Sequence, residues 1–406
     1  MNCGLLGRKL GHSYSPQIHS MLGSYSYSLF EKEPEELESF LRNGDFRGIN
    51  VTVPYKKAVL PYLDELTPIA QKLGAVNTVV RRNSQLIGHN TDYFGFQTML
   101  NDSGLRVADK KVLILGSGGA SNTAVAVLEE LGARATVISR SGEDNYENLN
   151  RHRDAALIVN TTPVGMYPHA GISPVDLDFF PRLEGVLDVI YNPARTQLLL
   201  DAENRNLVSR NGLLMLVAQA KEAAEWFTDS SLPDSLIPKI QKTLSCQMEN
   251  IVLIGMPGCG KSTVGKKRAE ATGRAFADAD ERIVQLAGNS IPEIFAEDGE
   301  EAFRAFETAA LKELGKQSGL IIASGGGCVT KERNYPLLHQ NGRIFWLQRN
   351  IENLSTEGRP LSASQDLKKM YDLRKSMYEA FADYTVINES VDAAVSQILV
   401  KLEENP

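Results

Sequence analysis

The sequence has few cysteines, no long apolar segment and no excess of positive charge. Its four cysteines are scattered without C-x-x-C spacing, which argues against a disulfide framework or a zinc site. No run approaches the ~18 apolar residues of a membrane-spanning helix, and the apolar stretch at the N-terminus is too short for a signal peptide. We therefore expect a cytoplasmic protein that does not enter a membrane.

The charge balance also limits the kind of partner. A formal net charge of −7 disfavours a dedicated nucleic-acid binder, because affinity for a phosphate backbone depends largely on a basic surface. The apolar fraction of 42% and the charged fraction of 23% are ordinary for a globular chain, and at ~100 to 200 residues per domain the 406 residues predict two to four domains. Small-molecule substrates are the expected partners, and the oligomeric state is left open.

The most informative stretch is the glycine-rich segment 255–263, G-M-P-G-C-G-K-S-T, which follows an apolar run at 251–254. In such a loop the glycines let backbone N–H groups turn inward around phosphate oxygens, Lys261 adds charge near the terminal phosphates, and Ser262 offers its hydroxyl to Mg²⁺. A helix predicted at 264–272 points its positive N-terminal end at the phosphates. A purely structural glycine turn is the alternative, which the strand, the helix and the K-S-T triplet together disfavour. The predicted ATP-binding residues of the loop are Gly258, Cys259, Gly260, Lys261, Ser262 and Thr263.

About 250 residues precede this loop, so the chain carries another unit in front of it. Predicted strands at 111–115 and 136–138 flank a glycine turn at 116–121 and a helix. This is the βαβ order of a dinucleotide-binding fold, in which small residues let a pyrophosphate approach the helix N-terminus. Arg140 follows the second strand where an acid would favour NAD, and a cation suits the 2′-phosphate of NADP. Further strands of a doubly wound sheet are predicted at 157–160 and 185–190.

The first hundred residues carry polar side chains at the ends of short predicted elements. Ser13 and Ser15 precede a helix and could simply cap it, although two hydroxyls beside a helix start also suit a carboxylate. Lys56 follows a strand end, where lysines are usually solvated surface charges. Asn77 and Asp92 are turn-prone residues, so plain turns are their alternative. Taken singly, none of these residues indicates a catalytic site.

Taken together, these residues resemble the motif set of shikimate dehydrogenase. The matching segments occur in family order over residues 1 to about 230, and five ordered motifs are far more specific than any one of them. They are Ser13-x-Ser15-Pro16, Asn50-Val51-Thr52-Val53-Pro54-x-Lys56, Ala75-Val76-Asn77-Thr78, Asn90-Thr91-Asp92 and Met215-Leu216-Val217-x-Gln219-Ala220.

The resemblance implies NADPH-dependent reduction of 3-dehydroshikimate to shikimate, with Lys56 and Asp92 as the catalytic pair. Reducing a ketone by hydride needs a proton donor at the developing alkoxide, and a lysine oriented by a carboxylate can be that donor. The implied substrate-binding residues are Ser13, Ser15, Thr52, Lys56, Asn77, Asp92, Tyr191 and Gln219. The implied NADP-binding residues are Gly116, Ser117, Gly118, Gly119, Ala120, Ser139, Arg140, Gly212 and Met215.

Two features of the sequence bear on specificity. Quinate differs from shikimate mainly by a ring hydroxyl, so quinate dehydrogenase activity is an alternative, and the presence of both Ser13 and Ser15 favours shikimate. The family commonly places a second basic residue a few positions after the arginine that meets the 2′-phosphate, whereas this chain has Gly142-Glu143-Asp144. The sequence therefore predicts NADP as the cofactor, with a weakened preference over NAD.

A second motif set follows the phosphate loop. Asp278 and Asp280 lie in a short strand predicted at 276–280, where residues i and i+2 point the same way, and acids near a triphosphate need a cation between them, a solvated loop being the alternative. Phe303-Arg304-x-x-Glu307 follows on a predicted helix, and three glycines at 325–327 indicate backbone that lies against a ligand. The chain then has Gly358-Arg359-Pro360-Leu361 and Leu373-Arg374-Lys375-x-x-Tyr378.

This combination resembles shikimate kinase over residues 250–406, which implies ATP-dependent phosphorylation of shikimate to shikimate 3-phosphate. Asp280 would orient the 3-hydroxyl or take its proton, while Lys261 and Arg359 would stabilise charge on the transferring phosphoryl group. The implied shikimate-binding residues are Asp280, Arg304, Gly326, Gly327 and Arg374, with the two arginines clamping the carboxylate. The implied Mg²⁺ residues are Ser262 and Asp278.

The predicted fold class is α/β: an N-terminal α/β substrate domain and a Rossmann NADP-binding domain, followed by a P-loop NTPase-type parallel α/β kinase domain. The predicted boundaries are 1–101 with a return helix at about 214–235, then 102–213, a linker at 236–248, and 249–406. The predicted function is a bifunctional enzyme for two successive steps of aromatic biosynthesis. A chain in which one half only senses a ligand or serves as a scaffold is the alternative, which the catalytic residues in both halves disfavour.

Overall fold

The computed structural model describes residues 1–11, 13–354 and 367–404. The chain divides into two compact units, the first made of Met1–Val164, Ser173–Tyr191 and Asp201–Thr243, and the second of Gly165–Ile172, Asn192–Leu200 and Leu244–Pro406. The segment 236–248, predicted as a linker, is a helix, and the division between the units falls within it. Across the described ranges, no helix is long and apolar enough to cross a membrane.

The first unit begins with a mixed sheet of six strands in the order β2-β1-β3-β5-β6-β4. β1 pairs in parallel with β2 and β3, whereas β5 runs antiparallel to both of its neighbours. Apolar side chains from β1, β3 and β5, including Leu6, Ile49 and Val79, form the core on this sheet. The strands are β1 (Asn2–Gly7), β2 (Ser26–Glu31), β3 (Gly48–Val51), β4 (Glu65–Leu66), β5 (Thr78–Arg82) and β6 (Gln85–His89), and the helices are α1 (Ser15–Leu22), α2 (Leu37–Asn43), α3 (Pro68–Leu73) and α4 (Asp92–Ser103).

A second sheet of the first unit is entirely parallel, with the order β11-β10-β9-β7-β8, which confirms the doubly wound prediction. β7 lies between β8 and β9 and is almost wholly buried, as its apolar sequence K-V-L-I-L predicts. The elements are β7 (Lys111–Leu115), α5 (Gly119–Glu130), β8 (Arg134–Ile138), β9 (Leu157–Asn160), β10 (Gly185–Asp188), α6 (Gln197–Asn204) and β11 (Val208–Arg210). The chain then returns to the first sheet as α7 (Leu213–Thr228), which packs against α1 and α4.

The second unit contains a parallel sheet with the order β13-β14-β12-β15-β16. Its central strand β12 is fully buried and leads into the phosphate loop, where Gly260 at φ +96° precedes the helix and Gly273 at φ +66° ends it. Both glycines hold backbone conformations that other residues rarely adopt. The elements are α8 (Leu236–Met248), β12 (Asn250–Ile254), α9 (Lys261–Thr272), β13 (Phe276–Asp278), α10 (Ala279–Ala287), α11 (Ile291–Glu297), α12 (Gly299–Gly315), β14 (Ile321–Ala323), α13 (Asn334–His339), β15 (Gly342–Gln348), α14 (Leu367–Phe381), β16 (Tyr384–Ile387) and α15 (Val391–Glu404).

Candidate active sites

A cavity of about 300 Å³ in the first unit brings together all the predicted dehydrogenase substrate residues. They come from six places in the chain: the start of α1, the turn after β3, the residue before β5, the first residue of α4, the loop after β10, and α7. Short backbone bonds hold the turn after β3 against the neighbouring segment, since Val76 N–H donates to Lys56 O at 2.8 Å. The predicted residues that line the cavity are Ser13, Ser15, Thr52, Lys56, Asn77, Asp92, Tyr191 and Gln219.

Lys56 and Asp92 form an ion pair at the cavity wall. Lys56 Nζ donates to Asp92 Oδ2 at 2.5 Å, and the two side chains are 26% and 13% exposed. The second carboxylate oxygen, Oδ1, accepts from Asn77 Nδ2 at 2.9 Å. Each oxygen of Asp92 therefore has its own donor, so the carboxylate plane and the ammonium position are determined by two independent contacts.

Neither serine at the start of α1 occupies its N-cap position. Its N-cap is Tyr14, no side chain caps it, and Ser13 Oγ accepts from Ser15 N at 3.2 Å. Tyr14 in turn contacts Tyr191 edge to face, with ring centroids 6.1 Å apart. Burial raises the pKa of Tyr191, so its phenol remains a neutral donor near the serines. Ser13 thus satisfies a free N–H at the start of the helix, as the capping alternative expects, and Ser13 and Ser15 both also line the cavity.

The predicted NADP residues lie at the carboxyl ends of β7 and β8, the place where open parallel sheets bind ligands. Gly116 has φ +106°, and its N–H donates to Ile138 O at 2.8 Å, which joins the two strand ends. Gly118 and Gly119 are exposed, and a Cβ at either would meet nothing within 4 Å, so a pyrophosphate has room at the α5 N-terminus. The predicted residues at the strand ends are Gly116, Ser117, Gly118, Gly119, Ser139 and Arg140, while Ala120, Gly212 and Met215 line the substrate cavity.

One acid of the loop after β8 is paired with a histidine. Ser139 N–H donates to Asp144 O at 3.2 Å, and Asp144 Oδ1 lies 2.8 Å from Nε2 of the buried His152. Arg140 and Glu143 are exposed. Of the two acids that the sequence places after the arginine, Asp144 is thus held by a histidine.

In the second unit a cavity of about 210 Å³ contains both the nucleotide and the substrate residues. Lys261 is buried, and its Nζ donates to Gly255 O at 2.9 Å and Met256 O at 3.1 Å. Ser262 Oγ donates to Asp278 Oδ2 at 2.7 Å. A hydroxyl and a carboxylate side by side at a phosphate loop are the oxygen ligands that Mg²⁺ prefers. The predicted residues that line this cavity are Gly258, Gly260, Lys261, Ser262, Thr263, Asp278, Asp280, Arg304, Gly326, Gly327 and Arg374.

The strand predicted at 276–280 is shorter than expected. β13 ends at Asp278, which caps α10 by accepting from Asp280 N at 3.0 Å, so Asp280 is helical. The two acids are thus not alternate residues of one strand. They still line the same cavity, because the first turn of α10 keeps them adjacent.

One predicted residue of the phosphate loop does not line the cavity. Cys259 is fully buried with its side chain away from the cavity, and its carbonyl accepts from Asn388 Nδ2 at 2.6 Å. Arg359 lies outside the described residues. All four cysteines are free, and no group of three or more His, Cys, Asp or Glu side chains suited to a metal occurs among residues 1–11, 13–354 and 367–404.

Glu307 is a site residue to which sequence reasoning assigned no role. It is 0% exposed, and its Oε2 accepts from Arg304 Nη1 at 2.8 Å, while Arg304 Nη2 also donates to Glu300 at 3.0 Å. Burial raises the pKa of Glu307, and its Oε1 has no hydrogen-bond partner in the part of the chain that the structure describes. The F-R-x-x-E spacing, which places Arg and Glu at i and i+3 on one helix face, was the signal that could have revealed the pair.

The three glycines at 325–327 make room for protein groups. A Cβ on Gly325 would lie 2.6 Å from Glu307 Oε1, and one on Gly327 would lie 2.3 Å from Arg304 Nη1. Gly326 would meet Pro257 of the phosphate loop at 2.6 Å, and its carbonyl accepts from Arg374 Nη1 at 3.2 Å. The sequence predicted that this backbone lies against a ligand. In the structure it also packs against side chains of the cavity.

Comparison with known proteins matches the chain to two enzyme families. Profiles of the shikimate dehydrogenase substrate-binding domain and of shikimate kinase match residues 5–79 and 257–403. The shikimate dehydrogenase (NADP(+)) of Clostridium beijerinckii is 36% identical over 254 residues, which are 57% of this chain and 94% of that relative. A crystal structure of shikimate dehydrogenase 1 from Peptoclostridium difficile has 37% identity and a TM-score of 0.56, covering 60% of this chain and 97% of that one. The Thermus thermophilus enzyme, solved with NADP(H) and shikimate, has 30% identity and a TM-score of 0.54, covering 60% and 99%.

The folds and the two cavities define a dinucleotide-dependent oxidoreductase joined to a P-loop kinase. The chain belongs to the shikimate dehydrogenase family over its first 60% or so and carries a shikimate kinase domain after it. It is a bifunctional enzyme of the shikimate pathway.

Proposed function

We propose that the first unit reduces 3-dehydroshikimate to shikimate with NADPH and that the second phosphorylates shikimate with ATP to give shikimate 3-phosphate. The observation that supports the assignment of residues best is the Lys56–Asp92 ion pair, 2.5 Å long, in a cavity lined by every predicted substrate residue. The product of the first reaction is the substrate of the second. Because both units lie in one chain, the two consecutive enzymes are present in equal numbers.

In the reductase reaction, NADPH supplies the hydride that adds to the ketone carbon. The Lys56 ammonium group donates its proton to the oxygen as the C=O bond becomes an alkoxide, and Asp92 holds the ammonium group in position. The hydroxyls of Ser13 and Ser15 suit the substrate carboxylate, and the half-buried phenol of Tyr191 adds a donor in the same cavity. Asn77 and Gln219 contribute amide groups for the ring hydroxyls.

In the kinase reaction, Arg304 and Arg374 bind the shikimate carboxylate, and Asp280 orients the 3-hydroxyl or takes its proton as the oxygen bonds to phosphorus. Lys261 leaves its two loop carbonyls to stabilise negative charge on the transferred group. Mg²⁺, which neutralises phosphate charge when bound, fits the hydroxyl of Ser262 and the carboxylate of Asp278.

The assignment is tested by a coupled assay with 3-dehydroshikimate, NADPH, ATP and Mg²⁺, followed by detection of shikimate 3-phosphate. Lys56→Ala should lower reductase turnover by about 10²- to 10⁴-fold, because a proton donor is lost, and leave kinase turnover unchanged. Lys261→Ala should do the reverse. A chain in which one unit is only a sensor or scaffold would show a single activity, and only one of the two variants would then affect it.

A further inference from the structure

A buried series of hydrogen bonds lies behind the Lys56–Asp92 pair and begins at His19 on α1. The imidazole is 1% exposed and stacks on the ring of Tyr27, with centroids 4.0 Å apart and planes 11° apart. Burial lowers the pKa of His19 to about 3, so the ring is neutral at ordinary pH. A neutral imidazole has one N–H donor and one acceptor nitrogen.

The partners of His19 determine which nitrogen carries the proton. Nε2 lies 3.1 Å from Oδ1 of Asn50, an amide oxygen that can only accept, so Nε2 must be the donor. Nδ1 then accepts from the hydroxyl of Tyr25 at 2.6 Å. Burial raises the pKa of Tyr25, so that phenol keeps its proton. The tautomer of His19 is thus determined by two contacts.

Asn50 is the next group in the series. Its Oδ1 accepts a second bond, from the hydroxyl of Tyr27 at 2.8 Å. Its Nδ2 faces the carbonyl oxygen of Asn77 at 3.4 Å and Oγ1 of Thr78 at 3.2 Å. Since the carbonyl of Asn77 can only accept, the amide of Asn50 cannot be reversed without placing two oxygens together.

Hydrogen bonds through Thr78 and Asn77 connect the Asn50 amide to the catalytic pair. Because Thr78 Oγ1 accepts from Asn50, its own proton is directed to Asn77 Oδ1 at 3.1 Å, which also accepts from Thr91 N at 2.8 Å. With its oxygen held in this way, Asn77 presents Nδ2 to Asp92 Oδ1 at 2.9 Å. Asp92 Oδ2 is left for Lys56.

We propose that His19 is a positioning residue for the reductase reaction: its Nε2–H orients the Asn50 amide and, through Thr78 and Asn77, the carboxylate of Asp92. The proposal rests on the roles given above to Lys56 and Asp92. His19 acts only through these groups and lines no part of the substrate cavity. A catalytic group must be held within a fraction of an ångström of its productive position, so a group behind the cavity controls the rate.

The test replaces His19 with Phe, which keeps an aromatic ring for stacking and removes the N–H. We expect reductase kcat to fall by about 10- to 100-fold, because misplacement by about 1 Å costs that much, with a smaller change in the KM for 3-dehydroshikimate and none for NADPH. His19→Gln, which retains an N–H donor, should recover most of this loss. Tyr25→Phe removes the partner of Nδ1 but leaves the Nε2–H facing Asn50, so it should lower kcat less than His19→Phe does.

Turnover is expressed per NADPH-binding site counted by fluorescence titration, and kinase turnover is measured on the same chain. A purely structural role would leave kcat per site unchanged in His19→Phe, and that result would overturn the proposal. If His19→Phe does not fold, His19→Met, which lacks the donor, is compared with His19→Gln, which has a similar length and retains it; equal kcat per site in these two variants overturns the proposal equally. If instead Lys56→Ala retains full reductase activity, the assigned catalytic pair is wrong, which is a separate failure.

Discussion

The crowding around Gly327 gives the sharpest prediction for the kinase site. Its φ of −102° is open to any residue, so Gly327→Ala introduces no backbone strain and acts only through its new methyl group. That Cβ would lie 2.3 Å from Nη1, 2.5 Å from Nη2 and 2.7 Å from Cζ of Arg304. Because ordinary contacts begin at 3.4 Å, the guanidinium group must retreat by about 1 Å.

Arg304 has little freedom to make that movement. Glu307, which is fully buried, holds Nη1 at 2.8 Å, and Glu300 holds Nη2 at 3.0 Å. The retreat therefore either stretches a buried ion pair or turns the guanidinium plane away from the substrate carboxylate. A displacement of about 1 Å should raise the KM for shikimate by about 10- to 100-fold, equivalent to about 1.4 to 2.8 kcal/mol of binding free energy.

The measurement is steady-state kinase kinetics with shikimate and ATP varied in turn. The KM for ATP should change little, because the three atoms nearest to the new methyl group all belong to Arg304, and reductase activity on the same chain reports that the protein is intact. Arg304→Lys, which keeps the charge but loses the planar two-point contact, should raise the KM for shikimate to a similar extent. A folded Gly327→Ala protein with a KM for shikimate within twofold of the parent would refute the reasoning.

Three other predictions concern the cofactor, pH and the metal. His152→Phe should release Asp144 towards the 2′-phosphate and lower the ratio of kcat/KM for NADPH over NADH by about 3- to 10-fold; an unchanged ratio would show that Asp144 does not face the cofactor. Burial lowers the pKa of His19 from 6.5 to about 3, so the folded protein keeps the imidazole neutral. This group therefore lowers the free energy of unfolding as the pH falls from 6.5 towards 3, by up to about 1.4 kcal/mol per pH unit, and has no such effect above pH 6.5. Urea unfolding of His19→Gln should show a smaller decrease of that free energy over the same pH range. Ser262→Ala should raise the Mg²⁺ concentration that half-saturates kinase activity by about tenfold while leaving the KM for shikimate unchanged, and an unaltered Mg²⁺ requirement would remove the hydroxyl from the metal site.

The parts of the protein that the sequence predicted well are those whose chemistry is local. The phosphate loop, the glycine turn after β7 and the helices that follow them appear where their residues indicate, because backbone conformation and helix N-termini depend on neighbours in sequence. The substrate residues were predicted through five motifs in family order, since nothing about Lys56 or Asp92 alone distinguishes them from a surface charge and a turn.

The remaining features depend on contacts between residues far apart in the chain. His19 is separated from Asn50 by 31 residues and Arg304 from Gly327 by 23, so no local pattern reports that one meets the other. The sequence alone determined which groups could bind phosphate, carboxylate and hydride donor. Only the tertiary structure decided which side chains hold those groups in place, because burial, close packing and the direction of a buried hydrogen bond arise when distant segments come together.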